Sequence, residues 1–422
     1  MANSMNIVYL EHYAGSDRHG MEYRPFFMAR EWVKAGDRVT IVASSFSHMR
    51  RINPDMGGRD ILEETIDGVR FLWLRGPQYE GNGLGRIKNI LSFLGGVRRH
   101  EKEIVAEGRP DVVIASSTYP LDIYPARRIA KRYGAQLIYE MHDLWPLSPM
   151  ELGGMSKYHP FIVGMQIAEN ACYKHCDYVV SLLPCAKEHM VEHGMDPDKF
   201  VFIPNGILRG EWDKPAGSLP SAHHEAIERR RGAGDFLIAY TGAHGIANAL
   251  DSYVEAGSLL KGRGVSLFLV GQGPERDRLC GRIQELGLSD TVISLPAVKK
   301  EDMPGLLAQF DALYIGLQRQ PLFRFGVSPN KLMDYMMAGK PVIFAIDAGN
   351  DMVADAGCGI SIPPEDSDAI ARAALALRDT PVQELEAMGR RGREYILEHH
   401  EYGVLSERFR EVFRRGKFVK KA

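Results

Sequence analysis

Cysteine is scarce in this chain. Five among 422 residues are too few for a disulfide framework, and the odd count argues for reduced thiols. Cys172, His175 and Cys176 form the one suggestive cluster, but they fall in a helical stretch with no second ligand pair at zinc spacing. They read as ordinary thiols, and no metal is expected. Apolar runs long enough to cross a membrane are also missing. The N-terminus, Met1-Ala2-Asn3-Ser4-Met5-Asn6, enters the strand-like run Ile7-Val8-Tyr9-Leu10 directly. No charged segment precedes a long apolar stretch, so no signal peptide is visible. The expected location is the cytoplasm or the cytoplasmic face of the inner membrane. Charge of one sign is lacking as well: a formal net charge of -2 gives no support for wholesale nucleic-acid binding.

What is present is regular alternation. The length exceeds what one hydrophobic core usually supports, so two domains are the default. Short apolar runs read as strands at Asn6–Leu10, Arg38–Ala43, Val69–Leu74, Asp111–Ser116, Gln136–Glu140, Tyr178–Leu182 and Phe200–Ile203. A second series follows at Phe236–Thr241, Val265–Val270, Val292–Leu295, Ala312–Ile315, Val342–Ala345 and Gly359–Ile362. Continuous Val/Ile/Leu/Phe runs suit parallel strands covered on both faces. Helical stretches such as Glu22–Ala35 and Leu121–Tyr133 lie between them. The alternation implies βαβ crossovers and an α/β fold of two Rossmann-like, doubly wound domains.

The series restarts once. Pro204-Asn205-Gly206 closes the first run, Arg209–Gly234 is polar, and a new strand-to-helix turn opens at Thr241-Gly242. The expected divisions are residues 1–207, 208–400, and a C-terminal helix with a basic tail at 401–422 that packs back on the first domain. Ligands of such sheets bind beyond the carboxyl ends of the strands, so two facing lobes would enclose a site.

Three segments carry chemistry. The loop Glu11–Gly20 contains Gly15 and Gly20 and precedes a helix placed near Met21. Small residues there let a phosphate or sugar approach helix-terminal N–H groups, or simply satisfy turn geometry. In Tyr139–Pro146, His142 and Asp143 end a buried strand. His142 can donate to a sugar hydroxyl or a leaving phosphate while Asp143 holds its orientation; the bland reading is a strand-end histidine bonded to backbone. In Phe325–Ile343, Ser328 reads as a helix N-cap with Pro329 at the first helical position. The helix start and Lys331 would cradle a diphosphate, with Asn330 beside them and Asp334 placed to accept from ribose hydroxyls. The alternative is a surface helix capped in the usual way.

The segments Asp143-Leu144-Trp145-Pro146, Ile203-Pro204-Asn205-Gly206, Leu269–Glu275 and Ser328-Pro329-Asn330-Lys331 through Gly339-Lys340-Pro341 resemble family 4 glycosyltransferases. The similarity spans essentially the whole chain and points to the WbuB-like branch associated with O-antigen and capsule assembly. It implies the GT-B fold: an N-terminal acceptor lobe and a C-terminal nucleotide-sugar lobe facing across a cleft. Family members commonly carry two glutamates near the donor. The second position matches Asp334 and, with seven residues intervening, the first falls on Gly326, so that carboxylate is missing. Backbone N–H groups around Val327 and Ser328 are the expected substitutes. The loop Thr241–Asn248 lacks the family's Arg and Lys. Its N–H groups at Gly245 and beyond, with His244 and Lys331, are expected to share the diphosphate, and Arg324 is an outside candidate. Gly271 and Val298 fall in segments resembling those that flank base and ribose.

The resemblance implies a retaining transfer from a nucleoside diphosphate sugar, UDP-linked by branch likeness, to a lipid-linked saccharide, with no cofactor and no metal. Two basic amphipathic segments bear on a membrane partner. Arg86–Glu103 places Ile87, Ile90, Leu91, Leu94 and Val97 beside Arg86, Lys88, Arg98, Arg99 and Lys102; the C-terminus carries Arg408, Arg410, Arg414, Arg415, Lys417, Lys420 and Lys421. Each reads either as peripheral contact with anionic lipid or as a packed helix and a solvated tail. The competing functions are a GT-B-fold epimerase or phosphorylase, and a non-catalytic sugar-nucleotide-binding scaffold.

Overall fold

The structure, a computed structural model, describes residues 4–20, 23–81, 83–213 and 219–418. They form two compact units, Met1–Asn205 with Tyr402–Ala422, and Gly206–Glu401.

The first unit is built on an eight-stranded sheet of order β3-β4-β2-β1-β5-β6-β7-β8. Its strands are β1 (Asn6–Leu10), β2 (Arg38–Ser44), β3 (Ile61–Ile66), β4 (Val69–Leu74), β5 (Val112–Ala115), β6 (Gln136–Met141), β7 (Tyr178–Ser181) and β8 (Phe200–Phe202). All neighbours are parallel except β3 and β4. The central strands β1, β4, β5 and β6 are buried along their whole length, as continuous apolar runs require. β3 was not expected. Its sequence, ILEETI, is half-exposed and carries acidic residues, so it lacks the signature of a covered strand. It is an edge strand joined to β4 across Asp67 and Gly68, both at positive φ (48° and 80°), the backbone of a two-residue hairpin turn.

The second unit has a six-stranded sheet of order β11-β10-β9-β12-β13-β14. The strands are β9 (Phe236–Thr241), β10 (Val265–Val270), β11 (Val292–Leu295), β12 (Ala312–Gly316), β13 (Val342–Ala345) and β14 (Gly359–Ser361). All are parallel. In both sheets the strand order reverses beside the first strand laid down, between β1 and β5 and between β9 and β12. Loops leaving the carboxyl ends there diverge and open a crevice.

The helices correct several boundaries. The first runs Arg24–Lys34; the start placed near Met21, and Glu22, lie outside the described residues. The stretch read as Leu121–Tyr133 opens with a 3-10 turn, Pro120–Asp122, before the helix Ile123–Tyr133. The polar connection 209–234 is not plain linker. It holds the helix Ser221–Gly232, which buries His223, Ala226 and Ile227. The last helix, Tyr402–Arg414, belongs to the first unit. Phe409 and Phe413 meet the Trp32 ring edge-on at 5.2 and 5.1 Å, and the Trp32 indole donates to Ser406 O at 3.1 Å. Burial of each such side chain contributes about 1.5–3 kcal/mol. The basic residues of this helix are largely engaged: Arg410 pairs with Asp37 at 2.8 Å and Arg414 with Glu407 at 2.6 Å. Lys420 and Lys421 lie outside the described residues.

Candidate active site

In the first unit, Glu140 is the last residue but one of β6, and His142 comes just after the strand, curling back so that its ring meets the Glu140 carboxylate. Glu140 is fully buried. Its Oε1 accepts from Arg24 Nε at 3.1 Å and Nη2 at 2.9 Å. Its Oε2 accepts from Ser116 Oγ at 2.6 Å, from His142 Nε2 at 3.3 Å and from the Tyr9 hydroxyl. Burial alone would raise this carboxyl; the Arg24 guanidinium, with the bonds from His142 and Ser116, holds it well below the usual carboxylate range. His142 Nε2 also reaches Ser116 Oγ at 2.8 Å. Ser116 is fixed in turn by buried Asp122, whose Oδ2 accepts from the amides of Ser116 at 3.1 Å and Ser117 at 2.9 Å.

The imidazole of His142 therefore directs its Nε2 proton inward, and Nδ1 is its outward nitrogen. Asp143 does not orient it, contrary to expectation. Asp143 Oδ1 accepts from Leu144 N at 2.8 Å and Ser148 Oγ at 2.6 Å, and Oδ2 from the Trp145 indole at 3.2 Å. Its carboxylate builds the following loop, and the orienting role belongs to Glu140. Glu140 was legible in principle, two residues before the histidine, but inside a buried strand it looked like one polar interruption.

Gly15 lies buried in the loop after β1. Ser16 folds that loop: its carbonyl accepts from His19 N at 2.9 Å and Gly20 N at 3.1 Å. Gly20 adopts φ +80°, with the Arg51 side chain 2.9 Å from where a Cβ would stand. Its geometric role is the turn. His12, in the same loop, is a buried neutral core histidine between Tyr119 and Asn89, pushed down to about 3 by burial.

In the second unit, the loops after β9 and β10 press together. A Cβ on Gly271 would stand 1.8 Å from Gly242 O and 3.0 Å from His244 Nε2, so only glycine fits. His244 N donates to Gln272 O at 2.7 Å, and Glu275 N to His244 O at 3.0 Å. Gly245 follows, half-buried. The His244 ring is 1% exposed, yet neither ring nitrogen has a hydrogen-bond partner among the described residues. Burial, then the charges of Arg276 and Lys331, push it down to about 4; it is neutral near pH 7. It can offer one N–H, but not the standing positive charge that a diphosphate site also wants.

Lys331 arrives from the helix Asn330–Met337. Its Nζ donates to Tyr240 Oη at 2.6 Å and Asn248 Oδ1 at 3.0 Å, and stands 4.1 Å from the Tyr240 ring centre. Its Cε lies 2.8 Å from a Cβ position on Gly242. Burial lowers its pKa to about 8. Arg276, the first residue of the helix Arg276–Glu285, adds a second cation near His244, and its buried Nε has no partner among the described residues. Arg276 was missed because its position, just past Gly271-Gln272-Gly273, reads as an ordinary helix start.

Other parts of this site differ from expectation. The helix N-cap is Pro329, with no side-chain cap bond, so Ser328 does not cap it. Proline restricts the preceding residue, and the helix starts one position late. The Val327 amide donates to Asn350 Oδ1 at 2.7 Å and is no substitute for a carboxylate. Gly326 sits at φ +100°, where a glutamate would be strained; the missing carboxylate follows from the backbone. Asn330 is exposed at the helix start. Asp334 is half-exposed and pushed up to about 7 by burial, against the pull of Lys300. Val298 packs on the apolar core of the second unit. Arg324 is exposed, donating to Pro321 O at 2.7 Å. Cys172 and Cys176 are buried thiols, held well above the usual range by burial.

Residues 20–206 match the family described as Glycosyl transferase 4-like domain, and residues 235–380 that described as Glycosyl transferases group 1. Between them the two matches span most of the chain, which is a glycosyltransferase. Sucrose-phosphate synthase from Thermosynechococcus elongatus is similar in structure at TM-score 0.69 and 16% identity, over 97% of this chain and 98% of that one. Anabaena HepE in complex with UDP and glucose gives 0.64 at 15% over 97% and 100%. WaaG, a glycosyltransferase involved in lipopolysaccharide biosynthesis, gives 0.62 at 17% over 96% and 99%. At such identities the likeness shows the fold, and two parallel-sheet α/β units are what the strand pattern implies. No curated protein matches the sequence significantly.

Proposed function

We propose that this glycosyltransferase takes a UDP-linked sugar and transfers it, with retention of anomeric configuration, to a lipid-linked saccharide of bacterial surface polysaccharide. One observation carries the donor reading: Lys331, the unpartnered His244 ring and Arg276 gather on the glycine loops at the carboxyl ends of β9 and β10. A diphosphate there supplies the counter-charge that partly buried Lys331 lacks and gives His244 an acceptor. Asp334 serves the ribose and Val298 the base side. UDP is favoured because HepE, of like fold, is seen in complex with UDP and glucose.

In the transfer, the bond from the anomeric carbon to the phosphate oxygen breaks as the incoming hydroxyl oxygen bonds on the same face. The hydroxyl proton passes to the departing phosphate. Lys331, Arg276 and the His244 N–H stabilise the charge developing there. Within the first unit, His142 keeps Nδ1 as the ring atom able to bond a sugar hydroxyl. No step in this reading calls for a metal. A lipid-linked acceptor is supported by the helix Leu84–Arg99, where Leu84 is 76% and Leu91 58% exposed beside Lys88. No helix among the described residues is long and apolar enough to cross a membrane.

Thermal denaturation against UDP-, GDP- and dTDP-sugars tests the donor assignment, since a ligand bound to the folded state raises apparent stability. UDP-sugars should stabilise, and Lys331→Ala should remove the effect. A donor response that survives Lys331→Ala intact would overturn the site. UDP release that does not depend on an added acceptor would refute transfer.

A further inference from the structure

We propose that Glu169, His189 and His193 form a binding site for a divalent transition metal of the zinc type, separate from the sugar-transfer machinery. Glu169 projects from the helix Pro160–His175, His189 from the helix Lys187–Glu192, and His193 follows that helix directly. One ligand atom from each can be chosen so that all lie within 4.8 Å of one another. His189 Nε2 and Glu169 Oε1 are 3.6 Å apart. Tetrahedral zinc with bonds near 2.0–2.1 Å places neighbouring ligand atoms about 3.3–3.5 Å apart, so this pair is already at near-metal spacing.

The surroundings are those of a held ligand set. The His193 Nδ1 donates to His189 O at 2.8 Å, which leaves Nε2 as the lone-pair nitrogen, the second contact that metal-binding histidines usually have. The two imidazoles stand side by side, ring centres 4.3 Å apart, so both rings face the same small space. Glu169 is 1% exposed. Tyr173 Oη donates to its Oε1 at 2.8 Å and Gln166 Nε2 to its Oε2 at 2.7 Å. Among the described residues no lysine or arginine pairs with it; its ion-pair contact is His189. A buried carboxylate wants a positive charge, and a dication between carboxylate and imidazoles provides one. Two imidazoles and a carboxylate suit zinc or a similar borderline metal, with a water at the remaining position. The cysteines nearby are not part of it: Cys172 Sγ donates to Pro120 O. The metal would tie together two helices that β7 separates in the chain, and leave His142 untouched.

Tag-free full-length protein stripped with EDTA should be titrated with Co2+ and Zn2+. The expected result is uptake of one equivalent of Co2+ with the visible absorption of a four- or five-coordinate site, displacement by Zn2+, and a rise in melting temperature. His193→Ala and Glu169→Gln should each weaken uptake by at least about 100-fold, beyond the losses typical of outer-shell changes, with far-UV circular dichroism unchanged. Absence of saturable uptake would show a histidine–carboxylate contact only. That outcome, or equal uptake by both variants, overturns the proposal.

Discussion

Replacing Glu140 by Gln tests the network beneath His142 most directly. The change keeps the volume of a fully buried side chain and removes only its charge. The NH2 of the new amide must then face either the Arg24 nitrogens or the donors Tyr9, Ser116 and His142, and each of those already points a hydrogen at it. Arg24 is left as a buried cation whose remaining acceptors are Ile203 O, at 2.9 Å, and Pro204 O. Breaking a buried pair in this way costs about 3–5 kcal/mol. At roughly 2–4 °C per kcal/mol for a domain of this size, the melting temperature should fall by about 6–20 °C. Glu140 is held below its unfolded value by Arg24, so its contribution is present above the unfolded carboxylate range near pH 4.3 and lost as pH falls through the depressed value. Scanning calorimetry at several pH values between 5 and 8 should therefore find a constant deficit. A shift under about 2 °C, or a deficit that varies across that window, would refute the claim that the Arg24–Glu140 pair is closed and dry.

Three further outcomes follow from the geometry. Asp334 is raised to about 7 by burial; its stabilising contribution is complete below about pH 4 and is lost as pH rises through about 7. Urea melts of the wild type should weaken across that interval while Asp334→Asn stays flatter, and identical slopes would count against it. Gly271→Ala forces a methyl to within 1.8 Å of Gly242 O; overpacking should cost about 1–3 kcal/mol and abolish UDP stabilisation, whereas normal UDP binding would show that the two loops need not touch. Leu84→Ser with Leu91→Ser should leave stability unchanged, since both are exposed, but reduce co-flotation with anionic vesicles; undiminished flotation would remove this helix from membrane contact.

The sequence by itself determined the strands and their parallel class, because a strand covered on both faces must be a continuous apolar run, and each such run in the chain became one. It also marked the glycine loops after β9 and β10 and the helix that carries Lys331. β3 escaped because an edge strand needs only one apolar face, and the helix Ser221–Gly232 because its few buried residues sit among charges. Partnerships were settled by the tertiary structure alone. Asp143 stands next to His142 in the chain, but its carboxylate is taken up by Leu144, Trp145 and Ser148 of the loop that follows, so Glu140 orients the imidazole. Lys331 sits at a helix start, yet it spans to Tyr240 and Asn248, which lie far away in sequence. The charge of Arg276 is felt at His244 only because the loops after β9 and β10 pack together. Local periodicity records what a residue's own backbone does; which charges share one crevice depends on how crossovers stack the sheet.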